Sequence, residues 1–162
     1  VNVKVFVRGT LIAAIYFALT VALQPVSYGH IQIRISEILA VLPYFFPESI
    51  AGLTVGCILA NLFSPFGLMD VVFGALCTLI AAILTYSVRK IKKPYLGIIP
   101  PILINALGVG LYLSILTNNP PSFEINRFFF FSLTIAIGEA ISVGIGGSII
   151  ITYLLKRKKF SL

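Results

Sequence analysis

The sequence predicts an all-α, polytopic membrane protein with six transmembrane helices and both termini in the cytoplasm. Three observations carry that expectation. Hydrophobic residues make up 59% of the 162-residue chain and charged residues only 10%, against about 25% charged in an ordinary soluble domain. Mean hydropathy is +1.06. The Lys and Arg residues gather at the ends of apolar runs: Lys4 with Arg8, then Arg89, Lys90, Lys92 and Lys93, then Lys156 to Lys159. That is the positive-inside pattern, so the net charge of +7 marks membrane orientation and not a nucleic-acid surface.

Each element can be justified in order. Span 1 covers residues 6–23 and stops before Pro25. Residues 9–23 behind Lys4 and Arg8 have the form of a signal-peptide core, but the further spans make an uncleaved first helix the expectation. A polar connection follows at 24–36, holding Gly29, His30, Gln32 and Arg34. Spans 2 (35–46) and 3 (50–63) are separated by Pro47-Glu48-Ser49. Both are short for a ~30 Å hydrocarbon core at ~1.5 Å per residue. They are expected to tilt, thin the bilayer or form a bent hairpin shielded by the other helices. Ser64-Pro65-Phe66-Gly67 is a turn signal. Span 4 is 68–88, and span 5 is 95–116 with a kink at Pro100-Pro101. After a Pro/Asn connection at 117–126, span 6 runs over 127–155.

Cytoplasmic placement of all three basic clusters requires an even number of crossings before Arg89 and after it. Four plus two satisfies this, and so does two plus two if spans 2 and 3 fail to cross. The longer connections then face outside. Cys57 and Cys77 both lie inside apolar runs, which implies no disulfide framework. The whole chain, 1–162, is expected to form a single integral membrane domain in the bacterial plasma membrane, with no cofactor and no metal site.

An ionisable side chain within a membrane helix is costly and by default marks a functional site. Mapped onto the spans, Arg34 and Glu37 stand at the outer start of span 2, Asn61 near the outer end of span 3, and Asp70 just inside span 4. Tyr112 lies in the outer part of span 5, with Asn105 nearer its middle. Glu139 is about 18 Å down span 6 from Arg127 at ~1.5 Å per residue. Five helices thus bring polar groups to the outer half, as a small-molecule pocket requires. Simpler roles exist for several of them. Arg34 and Glu37, spaced i, i+3, can pair with each other. Asp70 suits the first turn of a helix, and Asn61 and Asn105 can bond between helices. Glu139 has no basic residue of span 6 within helical reach. The loop at 24–36 is read as an outer lid.

Ala14, Ala18 and Ala22 form a smooth stripe along span 1, of the kind that lets membrane helices approach closely. Gly138, Gly144, Gly146 and Gly147 suggest tight packing of span 6. Residues 144–148 are no phosphate loop, since they lack the lysine and the preceding strand. A membrane-embedded enzyme is a competing class, opposed by the lack of a metal-ligand cluster, a second His or a nucleophile–base pair. A purely structural subunit leaves the outer acids unexplained, and no selectivity-filter string suggests a channel.

Arg34-Ile35-Ser36-Glu37, Leu42-Pro43, Gly52-Leu53, Gly56-Cys57, Ala60-Asn61-Leu62, Asp70-Val71-Val72-Phe73-Gly74 and Gly138-Glu139-Ala140 together resemble the QueT family. These are substrate-binding S-components of energy-coupling factor (ECF) transporters, assigned to queuosine precursors. The resemblance runs through the whole chain and is strongest over 29–84. It implies a six-helix S-component that binds substrate at its outer face with help from the loop between helices 1 and 2. It also implies a membrane coupling subunit, two ATPase subunits, and toppling of the S-component to release substrate inside. The Ala14, Ala18 and Ala22 stripe matches the small-residue motif that docks the coupling subunit. A 7-deazaguanine suits the acids, because its ring N–H and exocyclic amine form a donor edge that a carboxylate accepts in bidentate fashion. Its flat face suits stacking on Phe or Tyr. An S-component for another vitamin, such as cobalamin, is the alternative within the same class.

Overall fold

The structure is a computed structural model and describes residues 2–27, 33–117 and 122–157. Among the described residues, six longer helices follow one another, α1 (Val3–Ala22), α2 (Ile35–Tyr44), α3 (Ser49–Asn61), α4 (Asp70–Ile91), α5 (Pro94–Leu116) and α6 (Ile125–Lys156), with a four-residue helical turn, Gln24–Ser27, after the first. Among the described residues there is no strand.

The expectation of six transmembrane helices does not hold. Among the described residues, four helices are long and apolar enough to cross a membrane, namely α1, α4, α5 and α6. The other two, α2 and α3, have 10 and 13 residues. Pro47 and the turn at Phe45–Phe46 cut them apart, and α3 at ~1.5 Å per residue reaches about 20 Å, short of a ~30 Å core. They form a hairpin packed among the long helices. Arg34 and Ser36 begin α2 beside Asp70 and Thr20, and Glu48 begins α3 beside Arg8, 2.5 Å away. A hairpin that returns to the side it left does not alter crossing parity. Two long helices precede the Arg89 cluster and two end with Lys156, so Arg8, Arg89 and Lys156 share a side.

The most buried element is α2. It is wound as a 3-10 helix over its whole length, unusual for more than 3–4 residues. The tighter winding rises ~2.0 Å per residue, so ten residues reach about 20 Å where an α-helix would reach about 15 Å. It also stacks every third side chain. Ile38 and Val41 therefore form one short ridge, which meets α6 where Gly146 and Gly147 leave room. Pro43 sits inside this helix, where the lost N–H and ring clash disfavour a regular α-helix. Val41 and Tyr44 join Val143 and Ile151 of α6 in one core cluster. Leu42 joins Ile12, Tyr16, Leu53 and Cys57 in another. A third joins Cys77, Val109, Tyr112, Leu113 and Ile135 across α4, α5 and α6.

Close approach of α1 and α3 follows from two glycines one helical turn apart. A Cβ on Gly52 would stand 2.5 Å from the Gly9 carbonyl oxygen, and one on Gly56 would stand 2.8 Å from that of Ala13. Small residues at such spacing let membrane helices pack backbone to backbone. On α6 the glycines divide. Gly146 and Gly147 face α2, but a Cβ on Gly144 would meet nothing within 4 Å, so Gly144 is not a packing contact. Gly56→Ala is expected to cost about 1–3 kcal/mol through overpacking and to lower the thermal midpoint of the solubilised protein. Gly144→Ala should leave the midpoint unchanged or raise it, since it removes glycine's entropy cost within a helix. Equal shifts would refute the close α1–α3 contact.

The turn after α3 follows its sequence signal. Pro65 occupies the second position, and Gly67 adopts φ +65°, a left-handed conformation that glycine reaches without a Cβ clash. This turn delivers Asp70 to the head of α4.

Candidate functional site

Two irregular helical turns position two of the buried acids, Asp70 and Glu139. Asp70 opens α4 in a five-residue π-helical turn, Asp70–Gly74. Glu139 closes the α-helical part of α6 before a π-helical stretch, Ala140–Gly147. π turns inside helices are frequent at functional sites. Gly74 is needed at the first of them, since a Cβ there would lie 2.6 Å from Asn61 Nδ2 and 3.0 Å from Asp70 Oδ1.

Asp70 is fully enclosed and internally satisfied. Arg34 Nη2 donates to its Oδ2 at 3.2 Å, and the Tyr112 hydroxyl donates to its Oδ1. Asn61 Nδ2 donates to its backbone carbonyl at 2.7 Å. Arg34 therefore pairs with Asp70 across 36 residues rather than with Glu37 three residues away. Glu37 accepts from the hydroxyl of Tyr16 on α1. Glu139 accepts at Oε1 from Asn105 Nδ2, 2.8 Å away on α5. Its Oε2 is buried without a hydrogen-bond partner among the described residues. Phe73 stacks on Tyr112 at its edge, with centroids 6.0 Å apart.

The seven polar residues singled out by the sequence thus fall into two bonded groups and one separate contact. Arg34, Asn61, Asp70 and Tyr112 form a bonded unit, and Asn105 with Glu139 forms a second. Glu37 bridges toward α1. All seven are buried. Asn61 and Asn105 act as bonds between helices in this state. Gly29, His30 and Gln32, expected in a lid, lie outside the described residues.

Several contributors escaped the sequence reading. Tyr16 is wholly buried and holds Glu37, while Thr20, four residues on, meets Ser36 at 2.6 Å between hydroxyl oxygens. A tyrosine at mid-span, away from the membrane interfaces where tyrosine gathers, with a hydroxyl one turn later, was the available signal. Cys57 accepts from Thr78 at 3.3 Å and stays a free thiol, as does Cys77. Ser142, three residues past Glu139, is buried with its hydroxyl unpartnered among the described residues. On the outer surface of α1, Ala14, Ala18 and Ala22 are all exposed. Ala14 borders an apolar groove of about 760 Å³ between α1 and α3.

The chain matches the family model described as QueT transporter over residues 6–156. It is 40% identical over 72 residues to the queuosine precursor transporter QueT of Lactococcus lactis subsp. cremoris (strain MG1363), a stretch covering 43% of this chain and 42% of that protein. The match thus spans less than half the length of that relative. No solved structure matches the chain.

Proposed function

The chain belongs to the QueT transporter family, and from that premise we propose that it binds a queuosine precursor of the 7-deazaguanine class for uptake. QueT proteins are transporters and not enzymes, and this one is a multi-pass membrane protein of the bacterial membrane. In the proposed role it is the S-component of an ECF importer, working with a membrane coupling subunit and two ATPase subunits.

The observation that supports this reading best is Glu139. A carboxylate deep in a membrane protein is costly to desolvate unless its lone pairs are met, and here one oxygen is held by Asn105 while the other has no described partner. A ligand with N–H donors supplies the missing bonds. Arg34, Glu37, Asn61, Asp70, Asn105 and Tyr112 would shape the same site, the first four from the α2–α4 side. The 3-10 winding of α2 carries Glu37, and the π-helical stretch of α6 adjoins Glu139. The exposed Ala14, Ala18 and Ala22 stripe would receive the coupling subunit, because small side chains admit a partner helix.

The direct test is calorimetric titration of the purified protein with 7-deazaguanines. Glu139→Gln keeps the size but turns one acceptor oxygen into a donor. Affinity for the tightest of these ligands should fall about tenfold or more, since a charge-assisted hydrogen bond contributes ~1.5–3 kcal/mol. Undiminished affinity in the folded variant would remove Glu139 from the site.

A further inference from the structure

Positive charge is spread unevenly over the end of the bundle that the basic clusters make cytoplasmic. Arg89, Lys90, Lys92 and Lys93 at the α4–α5 turn and Lys156 and Arg157 at the end of α6 are all exposed. The two stretches are distant in sequence and meet in the fold. Val88 and Leu155, which immediately precede them, pack against the same core cluster. Tyr95 and Thr152 tie the start of α5 to α6, with their hydroxyl oxygens 3.0 Å apart. The result is one rim of cations along the α4–α6 edge.

This rim has no acid to neutralise it. The chain holds five Asp and Glu residues. Glu37, Asp70 and Glu139 are buried among the helices, and Glu48 and Glu124 pair with Arg8 and Arg127. At the α1–α3 edge of the same end, Arg8 is therefore already met by an acid. Along the α4–α6 edge no cation has an ion pair among the described residues.

Two further observations separate the rim from an ordinary run of solvated lysines. Tyr86, Tyr95 and Tyr153 are exposed beside it, as tyrosines are where a helix meets the headgroup layer, and the Arg157 guanidinium lies 4.8 Å from the Tyr153 ring centroid. Lys92 caps the end of α4 at φ 57°, a left-handed conformation in which a Cβ is strained and glycine is the usual residue. A lysine there adds charge at a conformational cost.

We propose that the α4–α6 rim is a binding surface for anionic phospholipid headgroups, which hold this edge, and not the α1–α3 edge, to the inner face of the membrane. Anionic lipid attracts Lys and Arg placed just beyond a membrane helix. A phosphodiester without a cation of its own can meet several of these side chains at once, and the tyrosine hydroxyls add neutral donors. A choline headgroup cancels its own phosphate and gains little. The inference does not depend on which substrate the protein carries.

The test is native mass spectrometry of the purified full chain in detergent with equal amounts of phosphatidylglycerol and phosphatidylcholine, and separately with glycerol 3-phosphate. Phosphatidylglycerol should be retained over phosphatidylcholine by tenfold or more, the ratio that about 1.4 kcal/mol gives. The preference should shrink as ionic strength rises, since exposed charges are screened. Lys92→Gln with Lys93→Gln, and separately Lys156→Gln with Arg157→Gln, should each cut the preference severalfold, while Lys4→Gln on α1 should leave it within about twofold. Lys92→Gly should weaken it without lowering the thermal midpoint, because glycine relieves the strain while removing the charge. Equal retention of the two lipids overturns the inference and leaves an acidic protein surface as the partner of the rim. Glycerol 3-phosphate retained as well as phosphatidylglycerol shows a site for free phosphate and overturns it too. A preference untouched by both double variants, or lost equally in Lys4→Gln, removes the rim as its source. If a variant fails to fold, the comparison of lipids on the unmodified chain and on Lys92→Gly still decides.

Discussion

Replacing Arg34 with alanine should destabilise the protein by roughly 3–5 kcal/mol, the usual cost of removing one partner of a buried ion pair. The reason is Asp70. It is wholly buried and takes its charge compensation from Arg34 at 3.2 Å, with Tyr112 and Asn61 supplying only neutral donors. Without the guanidinium its charge is stranded. The paired change Arg34→Ala with Asp70→Asn should therefore recover a large part of the loss, and thermal denaturation of the three variants gives the coupling directly. A double variant as unstable as the sum of the two single ones would show that the pair contributes nothing as a pair. The prediction also separates two kinds of acid. Asp70 is a partner within the fold, while Glu139 retains an oxygen for something else.

The second large effect is expected at the opposite face of α1. Ala14 and Ala18 are exposed, whereas Tyr16 and Thr20, between and beyond them, are buried and bonded to α2. Changing both alanines to leucine should leave ligand binding by the isolated chain intact, because neither side chain touches the cluster. It should abolish ATP-driven uptake by cells carrying the complete transporter, since the larger side chains hold a docking helix away. Uptake at the unmodified rate would show that the coupling subunit docks elsewhere.

The class of the fold and the identity of the polar cluster were legible in the chain, and the long-range pairings were not. Sparse charge and basic clusters at the ends of apolar runs suffice for an all-α membrane protein, because the bilayer admits few alternatives. The count of transmembrane helices was left open, since spans 2 and 3 are short and parity allowed four crossings as well as six. Residues 35–46 and 50–63 are apolar but short, and the structure resolves the choice as two short packed helices of 10 and 13 residues. Acids stand out in hydrocarbon wherever they fall, so Glu37, Asp70 and Glu139 declared themselves. Their partners did not. Arg34 and Glu37 sit at a spacing that favours a local pair, yet the turn at Ser64–Gly67 brings Asp70 to Arg34 instead. Tyr16 hid in span 1 because an aromatic ring in an apolar run is ordinary and its hydroxyl has meaning only once α2 is packed beside it. Gly52 and Gly56 were visible as residues, but their contact with Gly9 and Ala13 depends on which face of α3 meets α1.

The most direct measurement is native mass spectrometry of the purified chain after incubation with an equimolar mixture of 7-deazaguanines, guanine and cobalamin. Retention of a 7-deazaguanine at one molecule per chain, weakened in Glu139→Gln, is the result predicted. Retention of cobalamin, or of no deazaguanine at concentrations where the folded protein is intact, would contradict the account.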